Sequence, residues 1–153
     1  MGIYEYDDHM KKLIYQFKGC RDYELKDAFV APFKKELKMR FRDFFLVRLP
    51  SYEGDDIERG FNHVEEIFKC LKLPFINCLY KTKKYKQSAR NFEERQEISK
   101  VIVIKNGEKL MGKKILIVDD ISTTGASLKT AVNLIRQFNP KEMKILVVAK
   151  RVL

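Results

Sequence analysis

Short apolar runs alternate along this chain with stretches in which apolar residues recur every three or four positions. The apolar runs predict strands at residues 44–49, 75–79, 101–105, 115–118 and 145–148. The third of these runs ends at an Asn106-Gly107 turn. Residues 81–89 have no periodic apolar face and predict a flexible loop, which we extend to about residue 95.

Helical spacing is clearest near the start of the chain, at Met10, Leu13, Ile14 and Phe17. Asp7 or Asp8 can cap this helix, and Gly19 ends it. Further helical patterns are predicted over 22–39 with an interruption near Pro32, over 57–71, over 91–98, and from Leu128 to about Phe138.

The alternation of strands and helices predicts an α/β fold with a mainly parallel twisted sheet flanked by helices. We expect a single domain over residues 1–153, with an N-terminal helical segment at 1–40 and the core at 44–153. In parallel sheets, ligands bind at the carboxyl ends of the strands. Residues 119–120 and 50–51 are predicted to lie at two such ends.

Composition and charge narrow the classes of function. The chain has no apolar run long enough to span a membrane, so we expect no membrane insertion, and its acidic start predicts no signal peptide. Three cysteines without a C-x-x-C pair indicate a reducing cytoplasm and no zinc ribbon. The net charge is +10, and residues 81–114 hold eleven basic and four acidic residues. That segment suits a polyanion, whereas the basic stretch 34–48 is typical of a solvated surface.

The segment 115–127, ILIVDDISTTGAS, carries the most specific chemistry. An apolar strand is followed by Asp119 and Asp120, then by a small hydroxyl-rich turn and the start of a helix. The N–H groups at a helix N-terminus favour an anionic phosphate, and Gly125 allows close approach of the backbone. The carboxylates can accept hydrogen bonds from sugar hydroxyls or hold a hydrated Mg²⁺ through water. The alternative is a buried strand followed by an ordinary helix, capped by Ser122 or Thr123.

This segment resembles the binding motif for 5-phosphoribosyl-1-pyrophosphate (PRPP) of the type I phosphoribosyltransferases. The resemblance implies the type I phosphoribosyltransferase fold, with Asp119 and Asp120 as the catalytic acids that hold the ribose hydroxyls. It implies a 5′-phosphate site in the turn that follows, at Thr123, Thr124, Gly125, Ala126 and Ser127. It also implies that any Mg²⁺ arrives with PRPP, because the sequence shows no spacing typical of a metal site.

A second set of motifs is similar to the ComF-type competence proteins. Residues 47–62, VRLPSYEGDDIERGFN, place an RGFN motif after Pro50 with eight residues between them, and 145–151, ILVVAKR, resembles the family's last core strand. The resemblance implies a pyrophosphate loop at Arg48, Leu49, Pro50 and Ser51, with Arg59 and Asn62 supporting it at the start of the next helix. It further implies that the flexible loop contributes Lys83, Lys84, Lys86, Gln87 and Arg95.

Three functions follow as alternatives. A ComF-type protein would bind PRPP and act in natural competence and DNA uptake, with single-stranded DNA and competence proteins as partners. A phosphoribosyltransferase would move phosphoribose to a nucleobase or small amine and release pyrophosphate, and a PRPP sensor would bind without turnover. Thr123 stands where 6-oxopurine phosphoribosyltransferases carry an Asp that serves the base, which disfavours purine salvage. His9 and His63 are expected to be structural or surface residues, and the oligomeric state is left open.

Overall fold

The computed structural model describes residues 1–20, 22–51, 56–57, 60–82 and 101–151. Several predicted features lie outside these residues: the helix at 91–98, the flexible loop beyond Thr82, and the side chains of Arg59, Lys83, Lys84, Lys86, Gln87 and Arg95.

Four parallel strands form the main sheet: Gly2–Glu5 (β1), Phe44–Arg48 (β2), Lys114–Ser122 (β5) and Glu142–Lys150 (β6). Their order across the sheet is β1-β6-β5-β2. A separate antiparallel pair consists of Leu79–Lys81 (β3) and Ile102–Ile104 (β4). The predicted fold class, a mainly parallel sheet flanked by helices, is therefore confirmed.

Five α-helices connect the strands within the described residues. They are Asp8–Gly19 (α1), Lys26–Phe29 (α2), Lys34–Arg40 (α3), His63–Phe68 (α4) and Ala126–Arg136 (α5). Short 3₁₀ helices lie at Tyr23–Leu25, Ala31–Phe33, Lys69–Leu71 and Gly107–Leu110. None of these helices is long and apolar enough to cross a membrane.

Helix α1 forms where its caps and apolar spacing predict it. The Oδ1 atom of Asp7 accepts a hydrogen bond from the backbone N–H of Met10 at 2.7 Å, which satisfies one of the first-turn donors. Met10, Ile14 and Phe17 are buried against the sheet, and the rest of the helix surface is mostly exposed. Burial of this stripe fixes α1 on one face of the sheet.

Strand alternation divides the core into two layers. Leu116 and Val118 of β5 point to the layer that contains α1 and α4, whereas Ile115 and Ile117 point to the layer that contains α5. All four side chains have no exposed surface. Successive side chains of a strand face opposite sides, so the two acidic residues that follow Val118 are expected to do the same.

The structure corrects several element boundaries. Strand β5 is nine residues long and continues through the acidic pair, whereas the apolar run predicted an end at Val118. It continues because β6 still pairs with it there, joining Asp119 to Val147 and Ser122 to Lys150. Strand β1 was not predicted, because four residues at the start of the chain carry too little pattern.

Two further predictions near the middle of the chain were wrong in extent. The run 75–79 is not one strand: Phe75 makes an isolated bridge to Leu46, and β3 begins only at Leu79. The helix expected over 57–71 is interrupted: residues 56–57 are helical, residues 60–62 are not, and α4 begins at His63. Asn62 caps α4 with its side chain, which sets that start.

Candidate functional site

A cleft of about 410 Å³ lies at the carboxyl end of the main sheet. Two loops that follow strands form its walls, one after β2 and one after β5. Its lining residues are Leu49, Pro50, Lys81, Val101, Ile102, Asp119, Ile121, Ser122, Thr123, Thr124, Gly125, Ala126, Ser127 and Leu128. The structure thus brings together the predicted phosphate-binding turn, part of the predicted pyrophosphate loop and one of the two acids.

The turn before α5 has an open helix N-terminus. Gly125 is the N-cap residue, with φ 72° and ψ 8°, and it makes no side-chain capping bond. The alternative that Ser122 or Thr123 caps an ordinary helix is therefore wrong. The nearest side-chain acceptor is Thr124 Oγ1, 3.4 Å from the backbone N of Ala126. The first-turn N–H groups of this 11-residue helix and its dipole favour an anion in the cleft.

The loop after β2 is held at both of its described ends. The backbone N–H of Leu49 donates to the carbonyl of Val118 at 3.0 Å, which brings the loop beside β5. Ser51 Oγ donates to Asp56 Oδ2 at 2.5 Å, and Asn62 Nδ2 donates to both Ser51 Oγ (2.9 Å) and Asp56 Oδ2 (2.7 Å). These contacts connect the loop to the start of α4.

Two residues of the predicted pyrophosphate loop do not line the cleft. Arg48 is directed at Glu65 of α4, with 3.4 Å between its Nε and Glu65 Oε2. That Nε is buried and has no hydrogen-bond partner among the residues that the structure describes. Ser51 is occupied by Asp56 and Asn62. Among the described residues of this loop, Leu49 and Pro50 border the cleft.

The two acids of the motif have different surroundings. Asp119 lines the cleft and is half-buried, whereas Asp120 is only 5 % exposed and lies on the opposite face of β5. Each carboxylate accepts a backbone N–H from the next residue: Asp120 N to Asp119 Oδ1 at 2.9 Å, and Ile121 N to Asp120 Oδ1 at 2.8 Å. The acids occupy different faces because β5 continues past Val118.

Asp120 has two basic partners that sequence analysis missed. Lys18 Nζ of α1 lies 2.5 Å from Asp120 Oδ2, and His63 Nε2 of α4 lies 3.4 Å from the same oxygen. His63 is itself buried, while His9 is exposed. A signal for Lys18 did exist: it lies four positions after buried Ile14, beside the buried stripe of α1, where a charge needs a partner.

The pKa values of the two acids are shifted in opposite directions. Burial and the neighbouring charge of Asp120 raise the pKa of Asp119 well above its ordinary value. Burial alone would also raise the pKa of Asp120, but the charges of Lys18 and His63 outweigh it and hold that pKa below its ordinary value. The surroundings therefore favour the ionised form of Asp120 and disfavour the ionised form of Asp119.

Comparisons with known proteins agree with this geometry. The model of the phosphoribosyl transferase domain family matches residues 58–152. The competence protein ComFC of Streptococcus pneumoniae is 30 % identical over 143 residues, which cover 94 % of this chain and 64 % of the relative. ComFC of Bacillus subtilis is 33 % identical over 132 residues, covering 85 % of this chain and 55 % of the relative. The chain thus spans less than two thirds of the length of these relatives.

Solved structures support the fold. A hypoxanthine phosphoribosyltransferase from Staphylococcus aureus superposes with a TM-score of 0.52 at 15 % identity, covering 82 % of this chain and 62 % of the other. A purine phosphoribosyltransferase from Pyrococcus horikoshii gives 0.51 at 22 % identity, covering 81 % and 72 %. The resemblance to ComF-type proteins stated from the sequence is confirmed. On the family match and the fold together, this chain belongs to the phosphoribosyl transferase domain family.

Proposed function

We propose that this chain binds PRPP with Mg²⁺ in the cleft after β2 and β5, and that it acts as a ComF-type protein in natural competence. The observation that carries the proposal is the cleft itself. It combines an uncapped helix N-terminus, a hydroxyl-rich turn and a half-buried carboxylate at one edge of a parallel sheet. A sugar phosphate presents the complementary groups, an anionic phosphate and neighbouring hydroxyls.

Each part of PRPP has a corresponding surface in the proposal. The 5′-phosphate lies against the turn at residues 123–127, where backbone N–H groups and hydroxyls donate to it. Asp119 accepts hydrogen bonds from the ribose hydroxyls. The pyrophosphate lies toward Leu49 and Pro50, and Ser51 contributes by holding the loop. Asp120 lies on the face of β5 opposite the cleft, and in the proposal it affects the ligand only through its neighbour Asp119.

Mg²⁺ in this proposal is carried by the ligand. Among the described residues, no group of three or more His, Cys, Asp and Glu side chains is placed to hold a metal ion. Mg²⁺ retains water ligands and is commonly bound by one or two carboxylates together with substrate phosphates. Asp119, at the cleft wall, fits the role of a carboxylate that meets such a hydrated ion.

The competence role is supported by the two ComFC relatives, each matched along most of this chain. We propose that the partners are incoming single-stranded DNA and other competence proteins, and that the protein acts in the cytoplasm, consistent with its free cysteines. The basic segment 81–114 supplies the charge that DNA binding requires.

Phosphoribosyl transfer is a second candidate, since the cleft has the parts that hold a donor. The acceptor would differ from that of purine salvage. Asp119 is the one carboxylate among the described residues that line the cleft, and the turn presents Thr123 where a base-contacting acid would stand. An acceptor that needs no carboxylate contact from the turn, such as a small amine, fits this lining better than a 6-oxopurine.

Calorimetric titration of PRPP with Mg²⁺ tests the proposed ligand. Wild-type protein should bind, and Asp119→Asn/Asp120→Asn should not. Asp43→Asn is the matched control, because Asp43 is an exposed acid at the other end of β2. Absence of binding to the wild type would contradict the proposal. If PRPP binds, release of pyrophosphate in an acceptor screen separates an enzyme from a sensor.

Salt-dependent binding to a single-stranded oligonucleotide tests the DNA role. Affinity should fall steeply as salt rises, with a slope that counts the phosphates neutralised. Charge reversal at Lys83, Lys84 and Lys86 should weaken DNA binding and reduce that slope, while PRPP binding stays largely intact. Reversal at Lys34, Lys35 and Lys38 is the control, because that stretch is predicted to be solvated surface. Equal effects of the two triple variants would argue against residues 83–86 as the DNA surface.

A further inference from the structure

We infer that Lys18 and His63 are positioning residues of the phosphoribosyl cleft, which hold Asp120 behind β5 so that Asp119 alone faces the ribose. The inference rests on the proposed function, because it assigns a role within the same site. Neither residue lines the cleft, so each acts through Asp120 rather than on the ligand.

The geometry is that of a buried ionic cluster joining three elements. Lys18 reaches Asp120 from α1, His63 reaches it from α4, and Asp120 lies on β5 between them. The side chains of Asp120 and His63 are each 7 % exposed, and that of Lys18 is 31 % exposed. The cluster is shielded from water on the carboxylate side, where charge interactions are strongest.

Burial of Asp120 would be unfavourable without these partners. An unpaired carboxylate in such a place is costly, and here the preceding residue of the chain, Asp119, is a second carboxylate. The Lys18 ammonium lies against Asp120 Oδ2, while Asp120 Oδ1 accepts the Ile121 N–H, so both oxygens are satisfied away from the cleft. Without Lys18, the charge of Asp120 would act on Asp119 with less compensation, or Asp120 would lose its place behind the strand.

The cluster also places part of the site outside the matched family region. The phosphoribosyl transferase domain match begins at residue 58, whereas Lys18 belongs to α1. The first helix therefore serves the cleft as well as the core. Its buried stripe at Ile14 and Phe17 fixes the helix on the sheet, and Lys18 uses that fixed position to reach Asp120.

The test compares two ligands in Lys18→Met. We expect PRPP with Mg²⁺ to bind about tenfold more weakly or worse, since a hydrogen bond to a charged group is at stake. Inorganic pyrophosphate with Mg²⁺ should bind as it does to the wild type, because it makes no ribose contact. Lys18→Arg should restore most of the PRPP affinity. Lys12→Met is the matched control, since Lys12 is an exposed lysine of the same helix.

A double-mutant cycle with Asp120→Asn shows whether Lys18 acts through Asp120. The Lys18→Met change should cost little further PRPP affinity once Asp120 is neutral, whereas additive losses would overturn the inference.

For His63, we expect His63→Gln to retain more affinity than His63→Phe, because glutamine keeps a donor. Should Lys18→Met fail to fold, Lys18→Gln replaces it, and unfolding by urea reports the stability of each variant.

The outcomes separate this inference from the proposed function. PRPP binding that is unchanged in Lys18→Met and lost in Asp119→Asn would overturn the role of Lys18 and leave the PRPP site standing. Parallel loss of PRPP and pyrophosphate binding in Lys18→Met would show a general structural defect and also overturn it. No PRPP binding to the wild type would remove the proposed function and this inference together.

Discussion

Asn62 Nδ2 donates to Ser51 Oγ at 2.9 Å, and through this bond the residue that caps α4 holds the loop at the mouth of the cleft. The same side chain also serves the helix, since its Oδ1 accepts the backbone N–H of Glu65 at 3.0 Å. The Asn62 amide therefore holds the loop with its nitrogen and caps α4 with its oxygen. Substitutions at residue 62 can separate these two roles.

Asn62→Ala should destabilise the protein by about 1 kcal/mol through loss of the helix cap, and it should also weaken PRPP binding. Asn62→Ser should keep most of the stability, because serine is a good N-cap, while the shorter side chain loses the reach to Ser51. Urea unfolding measures the first effect and calorimetry the second. If Asn62→Ser bound PRPP as tightly as the wild type, the bond to Ser51 would have no part in shaping the loop.

Asp119→Asn should make the protein more stable at neutral pH while it abolishes PRPP binding. The raised pKa of Asp119 means that the folded state holds this proton more tightly than the unfolded chain does. Wild-type stability from this group is therefore present below about pH 4, the ordinary carboxyl value, and is lost as pH rises through the raised folded pKa. Asparagine avoids that loss.

The measurement is the urea midpoint of wild type and Asp119→Asn at pH 4 and pH 7. The advantage of the variant should be larger at pH 7. Asp43→Asn, at an exposed acid, is the control for the loss of one surface charge. A wild type that is the more stable protein at pH 7 would show that the Asp119 carboxylate is favourably solvated in the empty cleft.

Gly125 should tolerate asparagine better than alanine. The cavity offers room for a side chain, since the nearest heavy atom to an added Cβ is Ser122 Oγ at 3.9 Å. The φ of 72° is the obstacle, and a left-handed conformation costs an L-residue about 1–2 kcal/mol, less for asparagine. We expect the midpoint of thermal unfolding to be highest for the wild type, lower for Gly125→Asn and lowest for Gly125→Ala. Equal stability of the Asn and Ala variants would point to steric contact in place of backbone strain.

The three cysteines should react with a thiol reagent in order of exposure. Cys20 is exposed, Cys70 is partly buried, and Cys78 is buried with a pKa raised to about 11 by desolvation. Because the thiolate is the reactive form, Cys78 should remain unmodified at pH 8 until urea is added. A Cys20→Ser variant identifies the fast thiol. Rapid labelling of Cys78 in native protein would reveal local opening around β3.

The parts of the site that could be predicted from sequence are those that depend on neighbouring residues. The turn at 123–125 is local, because it is decided within one strand–turn–helix segment. The fold class was also accessible, since apolar runs and helical spacing repeat along the chain. In these segments, local pattern and tertiary packing favour the same structure.

What could not be predicted depends on long-range pairing. The apolar pattern ends at Val118, but β6 continues to pair with β5 as far as Ser122, and this decides that Asp119 and Asp120 face opposite sides. Lys18 and Asp120 are separated by 102 positions, so no spacing rule joins them. The partnership depends on where α1 packs, and that is a property of the whole core.

The pairing of β1 with β6 has a consequence for the order in which the molecule folds. Gly2 is aligned with Val147, so the edge of the sheet closes only when segments from opposite ends of the chain meet. Such distant contacts require a large loop to close and are formed slowly. During synthesis, the sheet edge next to α1 is therefore complete only after β6 has been made and has paired with β1. The ability to bind ligand should accordingly appear late in refolding, after most of the circular-dichroism signal of the helices has returned.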